Sequence, residues 1–149
     1  MARFSQSRLR NDVIKGAIAG AVGTWVMGKV TRRKTSYGVA AEKAAHLAGA
    51  SLDHDQRERL GLAIHWALGI GAGAAYAVLR RRFHALGRTA GLGFGTAFWA
   101  LLDEGLVPTL GLTPGPRAFP WQTHARGFAG HLTFGTVTDG TLRLLDVIA

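Results

Sequence analysis

The stretch LGLAIHWALGIGAGAAYAVL, residues 60–79, is the strongest candidate for a membrane-spanning segment in this chain. Its 20 residues carry no formal charge, and a helix of about 20 apolar residues crosses the hydrocarbon core of a bilayer. The basic turn RRRFHALGR follows it directly. The stretch therefore predicts a membrane-spanning α-helix that ends at a short hydrophilic turn.

The composition agrees with a membrane protein. Of the 149 residues, 48% are hydrophobic and 18% are charged, whereas soluble domains carry about 25% charged residues. There is no cysteine, which excludes disulfides, thiolate metal sites and cysteine nucleophiles. The net charge of +9 comes from basic residues that flank apolar runs, as expected near lipid headgroups. We therefore expect a lipid bilayer as partner and no nucleic acid.

Three further apolar runs complete the predicted architecture. We expect an all-α, polytopic membrane protein that forms one domain over residues 1–149, a bundle of four transmembrane helices. Residues 30–59 form an extramembrane connection with two short helices, the second capped by Ser51 or Asp53. In the last span, Asp139 and Arg143 stand four residues apart and can pair on one face. The predicted spans cover residues 13–29, 60–79, 89–112 and 126–146.

The basic turn predicts an orientation, although Lys plus Arg total nine on each side of the predicted four-span arrangement. The first apolar run follows a basic tail and resembles a signal peptide, but it ends in MGKVTRRK and not in a small-residue cleavage site. We interpret it as an uncleaved anchor. The dense basic turn at Arg80 to Arg88 favours a cytoplasmic N-terminus, since short cytoplasmic segments are rich in Lys and Arg.

Small residues recur at three- or four-residue spacing in every predicted span. In lipid, such faces let helix backbones approach closely. Neither GIGAGA nor GLGFGT fits a dinucleotide-binding fingerprint, so these glycines predict helix packing. We expect this packing within the chain and also against a second copy or a larger membrane complex. The glycines assigned to helix packing are Gly16, Gly20, Gly69, Gly73, Gly93, Gly127 and Gly135.

A few ionisable residues share the small-residue faces. His65, Glu104 and His131 fall at similar depths, roughly 8–12 Å from one membrane face at 1.5 Å per residue. Pro108 has no N–H, so the carbonyl of Glu104 loses its helical donor and a kink is expected. We predict a polar intramembrane cluster formed by His65, Tyr76, Asp103, Glu104 and His131.

Three interpretations of this cluster remain open. Its members can hydrogen-bond across helices and fix their register, or they can handle protons or ions, because ionisable groups at membrane depth mark functional sites. A metal or haem site with His65 and His131 is the third, although two histidines on separate helices are a weak metal signature. We expect no cofactor and no metal. We also expect no catalytic residue, because the sequence shows no arrangement of a serine nucleophile, a general base and a group that orients the base.

Two sequence stretches carry a family resemblance. They are GLTPGPRAFPW followed by GHL, residues 111–121 and 130–132, and His65 followed eleven residues later by Tyr76. From the second span onwards the chain resembles the YagU-like family of bacterial inner-membrane proteins, whose biochemical function is unknown. The resemblance implies a polytopic inner-membrane protein with a cytoplasmic N-terminus. The shared loop motif includes Pro114, Pro120 and Trp121.

The loop motif also has a physical interpretation. Three prolines stiffen the connection between the third and fourth spans, and Trp121 suits the boundary between water and lipid. The loop is then either a rigid connector or a lid over the polar cluster.

We expect a small non-enzymatic membrane protein whose His/carboxylate cluster supports helix assembly and, in one version, passes protons or ions. The alternatives are an accessory subunit of a larger membrane complex and a metal- or haem-binding membrane protein.

Overall fold

The structure is all-helical, which confirms the predicted fold class. The computed structural model describes residues 2–31, 38–47, 49–113 and 115–148, and no strand occurs in these ranges. The elements in chain order are α1 (Ala2–Thr31), α2 (Gly38–Leu47), α3 (His54–Arg82), α4 (His84–Arg88), α5 (Leu92–Trp99), a π-helix (Ala100–Leu106), α6 (Val107–Thr109), a 3₁₀ turn (Pro116–Ala118) and α7 (Trp121–Ile148).

Three long helices, α1, α3 and α7, form the body of the bundle. Helix α1 packs against both α3 and α7, α5 packs against α7, and α2 lies on α3. The core is aromatic: Tyr76, Phe94 and Phe134 are buried, and the rings of Tyr76 and Phe94 stack with their centroids 4.5 Å apart. We call the end of the bundle that holds residues 80–91 the basic-turn end, and the end that holds residues 107–120 the loop end.

Backbone contact joins α1 to α3. Gly16 and Gly20 of α1 face Gly69 and Gly73 of α3. A Cβ atom on Gly16 would lie 2.6 Å from the Cα of Ala74, and one on Gly20 would lie 3.0 Å from the Cα of Gly73. The helices approach so closely that only glycine fits at these positions, as in small-residue contacts between membrane helices.

A second glycine contact joins α5 to α7. Gly91, whose φ of 81° suits glycine, lies with Gly95 against Gly135, where an added Cβ would come within 3.0 Å of the Gly95 nitrogen. Gly93 differs from the prediction, because its nearest neighbour is Thr89 of the preceding turn and not another helix. Gly127 lies against a side chain, the indole of Trp99, with 3.2 Å between the position of an added Cβ and Nε1.

Helix α3 begins at a well-formed cap. The Asp53 side chain accepts a hydrogen bond from the Gln56 backbone N–H over 2.8 Å, and the Gln56 side chain accepts one from the Asp53 N–H over 3.0 Å. This reciprocal pair is a capping box. The second short helix expected in the connection is thus the first part of α3, which continues without a break to Arg82.

Two helices, the Gln6–Thr31 part of α1 and α3, are long and apolar enough to cross a membrane. Elsewhere in the described chain, the third predicted span is divided into α5, the π-helix and α6. The 28-residue α7 contains Asp139, Arg143 and Asp146, which make it more polar. The prediction of membrane helices is therefore supported in part, and the four-span arrangement stays a prediction.

Ion pairs gather at the basic-turn end. Arg81 of α3 lies 2.8 Å from Asp12 of α1, and Lys15 of α1 lies 3.3 Å from Asp146 of α7. Arg80 of α3 also bonds to Asp146. These contacts connect the ends of all three long helices.

Candidate functional site

Asp103 and Glu104 lie in the π-helix, which replaces the α-helix in the middle of the third apolar run. The N–H of Val107 donates to the carbonyl of Leu102, five residues earlier, which is the pattern of a π-helix. Pro108 comes next and has no N–H to donate to the carbonyl of Glu104. The local sequence thus removes one α-helical bond directly after the two carboxylates. Segments of this type are frequent at functional sites.

Glu104 is paired with His124, near the start of α7. Its Oε1 lies 2.6 Å from Nδ1 of His124, and Nε2 of the same ring lies 2.9 Å from the carbonyl oxygen of Pro116. A carbonyl only accepts hydrogen bonds, so Nε2 carries a hydrogen and donates it to Pro116. The other ring nitrogen shares a proton with Glu104. His124 therefore ties the π-helix to the proline loop.

The environment of His124 favours its charged form. The hydrogen bond to Glu104 raises the pKa of His124 above its ordinary value of 6.5, and the carbonyl of Pro116 adds to this effect, while desolvation opposes it. A neighbouring carboxylate stabilises an imidazolium through attraction and hydrogen bonding. The contact with Glu104 thus shifts His124 towards its imidazolium form.

Asp103 faces the second histidine of α7. Its Oδ2 lies 3.7 Å from Nδ1 of His131, and this nitrogen lies 2.9 Å from the carbonyl oxygen of Gly127. His131 is 2% exposed, and its ring meets that of Phe98 edge-on with 5.3 Å between centroids. The contact with Asp103 is longer than a direct hydrogen bond, so the hydrogen-bond partner of this nitrogen is the Gly127 carbonyl of its own helix, and Asp103 faces it at ion-pair distance.

A partly open cavity of about 320 Å³ lies beside these pairs at the loop end. Its lining is mostly apolar, with Asp103, Glu104 and His124 as its ionisable members. Pro116 and Phe119 of the loop form part of the wall. The loop therefore covers one side of the cavity, and the His124 bond to Pro116 holds it there.

Tyr76 belongs to a different polar group, near the basic-turn end. Its hydroxyl donates to Oδ1 of Asp139 over 2.8 Å, and both residues are buried, at 0% and 1% exposure. Arg143 Nε lies 2.6 Å from Oδ2 of the same carboxylate, and Arg80 lies 3.4 Å from Oδ1. The spacing of Asp139 and Arg143 in the sequence had indicated this pair. The buried carboxylate is thus fully paired.

His65 lies in a third place. It lines a second cavity, of about 330 Å³, between α1 and α3, together with Thr24, Trp25 and Trp66. The five residues predicted as one cluster are consequently divided. Asp103 faces His131, and Glu104 pairs with His124 instead. Tyr76 meets Asp139, and His65 faces α1.

The partner of Glu104 was missed in the sequence. His124 stands seven residues before His131, and residues seven apart lie on the same face of a helix. That spacing was the available signal, but the segment had been assigned to the loop. In the structure α7 already begins at Trp121.

The loop motif frames the start of α7. The carbonyl of Pro120 accepts a hydrogen bond from the Thr123 N–H over 2.9 Å, which satisfies one donor of the first turn. Trp121 is the first residue of the helix and is 72% exposed, as suits a boundary residue. Pro114 lies outside the described residues.

A metal site is not apparent in the described ranges. No three side chains of His, Asp or Glu within them come together in a way that could hold an ion. The paired carboxylates at the loop end contact one imidazole each.

The fold and site define an all-helical bundle with two helices capable of crossing a membrane and with paired polar residues between its helices. Residues 31–140 match the model of a family described as "Protein of unknown function (DUF1440)", and the chain belongs to this family. No curated protein and no solved structure matches the chain. The finer resemblance to YagU-like proteins stays a prediction.

Proposed function

We propose that this chain is a small, non-enzymatic, four-span protein of the bacterial inner membrane, similar to the YagU-like proteins, whose buried polar pairs hold its helices in register. One observation carries the proposal. Side chains at three levels of α7 each pair with another helical segment: His124 with Glu104, His131 with Asp103, and Asp139 with Tyr76. Pairing of this kind is the usual way in which polar residues persist inside a membrane.

The exposure of the long helices supports a location in lipid. In the most apolar parts of α1 and α3, 33% and 22% of the residues are buried, whereas a core helix of a soluble protein is mostly buried. Ile14, Ile18 and Trp25 of α1 are about half exposed, at 50%, 48% and 57%. Contact with acyl chains removes the cost of leaving such a surface in water.

The remaining two spans are residues 89–112 and residues 126–146 of α7. Helical structure continues through α5, the π-helix and α6. The polar residues of α7 lower its hydropathy, but internal pairing reduces the cost of bringing them into lipid. With the N-terminus in the cytoplasm, the basic-turn end lies on the cytoplasmic side, in agreement with the positive-inside rule.

Helix assembly fits the geometry better than proton or ion passage through one copy. The rings of Tyr76, Phe94, Phe98 and His131 are in contact one after another between the two polar groups. Phe94 and Phe98, which lie between Tyr76 and His131 in this series, offer no donors or acceptors that could relay a proton. Attachment to a second copy or to a larger membrane complex remains compatible with this role.

Single-cysteine labelling tests the architecture, because the chain has no cysteine of its own. Cysteines are placed singly at Ser7, Ser51, His84, Arg117 and Val147, and a membrane-impermeant maleimide is applied to intact and to permeabilised spheroplasts. Four spans with the N-terminus inside predict labelling of positions 51 and 117 from outside. Positions 7, 84 and 147 should react only after permeabilisation.

Two results would overturn the proposal. If positions 84 and 117 lie on the same side, the third run does not cross the membrane. If the chain is recovered in the soluble fraction without detergent, no span exists.

A further inference from the structure

The cavity at the loop end has the size and lining of a small-molecule site. Its volume of about 320 Å³ lies in the range of known ligand pockets, which are mostly apolar with a few placed polar groups. Ile64 and Leu68 of α3 form one wall, and Phe119 of the loop forms another. Because the cavity is partly open, a ligand can enter without unfolding of the bundle.

The charge of the lining is acidic. Asp103 and Glu104 contribute two carboxylates, and among the described lining residues His124 alone offsets them, since no Lys or Arg belongs to this set. Lys43 of α2 reaches the neighbouring rim, where its ammonium group bonds to the carbonyl of Leu110. Among the described lining residues, the two carboxylates therefore outnumber the one positive charge that His124 can carry.

We infer that this cavity binds a small organic cation, an apolar body that carries a protonated amine or a quaternary ammonium group. The apolar walls accept the body of such a ligand, and its charge lies against the carboxylates. A carboxylate has two oxygens with room for several donors, so Glu104 can bond to His124 and still attract a ligand. The attraction between opposite charges strengthens where water is excluded.

Other ligand classes fit the lining less well. An anion would be repelled by both carboxylates, and a metal ion would find no set of three protein ligands in the described ranges. A neutral apolar molecule would fill the volume but would not be attracted by the two carboxylates of the lining. The site does not depend on the number of membrane spans, so its test is independent of the proposed architecture.

Three ligands of nearly equal shape separate these classes. Benzyltrimethylammonium is the cation, neopentylbenzene is its neutral isostere, and benzylsulfonate is the anion. Binding to the detergent-purified full chain is measured by equilibrium dialysis against protein-free micelles. We expect the cation to bind at least about tenfold more tightly than the other two, because only the cation is attracted by the charge of the carboxylates. Equal binding of cation and neutral isostere, preference for the anion, or no binding of the cation would overturn the inference.

Two variants test the position of the site. Glu104→Gln keeps the side-chain size but removes the charge, and should weaken binding of the cation by about tenfold to a hundredfold. Glu58→Gln is the matched control, because Glu58 is exposed on the first turns of α3, outside the cavity. It should leave the affinity unchanged.

The second variant keeps both carboxylates. Val107→Phe places a ring in the cavity and should weaken binding of the cation and of the neutral isostere alike. This variant also tests the position of the site in the case that Glu104→Gln does not fold, which its circular dichroism spectrum would show. Unchanged binding of the cation by Val107→Phe would place the ligand elsewhere and overturn the inference.

Discussion

The hydroxyl of Tyr76 and the carboxylate of Asp139 lie 2.8 Å apart, on α3 and α7, at a place where both side chains are buried. Because a buried carboxylate without donors is costly, this contact joins the two helices at one fixed height. It also favours one rotation of α3, the rotation that turns Tyr76 towards α7. The bond thus specifies the arrangement of the bundle in addition to stabilising it.

Removal of the Tyr76 hydroxyl should destabilise the bundle. Tyr76→Phe keeps the ring against Phe94 but takes one donor from Asp139, and should lower the free energy of unfolding by about 1.5–3 kcal/mol, the contribution of a hydrogen bond to a charged group. Unfolding in mixed micelles measures this change. Asp139→Asn and the double variant complete a mutant cycle. Strictly additive effects of the two substitutions would contradict direct coupling of the pair.

Two glycines of α3 should respond in opposite ways to alanine. A Cβ on Gly73 would press on the backbone of Gly16 and Gly20, whereas Gly71 has no neighbour within 4 Å. We expect Gly73→Ala to destabilise the fold by about 1–3 kcal/mol through overpacking. We expect Gly71→Ala to be neutral or to stabilise by about 0.5–1 kcal/mol, because alanine favours a helix.

The difference in the free energy of unfolding between these two variants tests the contact, since both lie in one helix and carry the same chemical change. Unfolding curves recorded in the same detergent provide it. Equal responses would mean that α1 does not lie against α3 at Gly73.

The loop should detach as the pH rises. The pKa of His124 is raised in the folded chain by its bond to Glu104, so this bond, which fixes the ring that donates to Pro116, stabilises the loop fully below pH 6.5. This stabilisation is lost as the pH rises through the higher, folded value. Amide exchange at Ala118 and Phe119, corrected for the intrinsic effect of pH, measures the loss.

A histidine at the other end of the bundle is the control for this titration. His124→Ala should make protection of the loop low and independent of pH over this range. His84→Ala, an exposed position in α4, should leave the transition in place. A transition that persists without His124 would assign it to another group.

Pro108 should govern the direction of the two carboxylates. Pro108→Ala restores an N–H that can donate to the carbonyl of Glu104. We expect this segment to move towards α-helical geometry, which turns Glu104 away from His124. Measured by proton NMR, the pKa of His124 should then fall towards 6.5, its ordinary value. An unchanged titration would show that the π-helix does not depend on this proline.

The sequence was informative where structure is local. The apolar runs indicated the helices, Asp53 stood at a capping position, and the spacing of Asp139 and Arg143 indicated their pair. Gly16 and Gly20 share one face of α1, and Gly69 and Gly73 share one face of α3. Each of these inferences needs only the geometry of one helix.

The partners of the carboxylates could not be obtained in the same way. A regular α-helix turns Asp103 and Glu104 about 100° apart, and that assumption fails in a π-helix, where both residues meet side chains of α7. Pro108 indicated a distortion but not its form. Tyr76 and Asp139 lie on helices far apart in the chain, so their contact depends on tertiary packing that the pattern of one helix does not contain.

The backbone contact between α1 and α3 has a consequence for the variation that this chain can accept. At Gly16, Gly20 and Gly73 every possible substitution adds volume, and each addition meets main-chain atoms that cannot turn aside. No substitution is therefore tolerated at this seam, the backbone contact formed by these three glycines. A second change elsewhere cannot make room for the first, and the seam should be the slowest-evolving surface of the molecule.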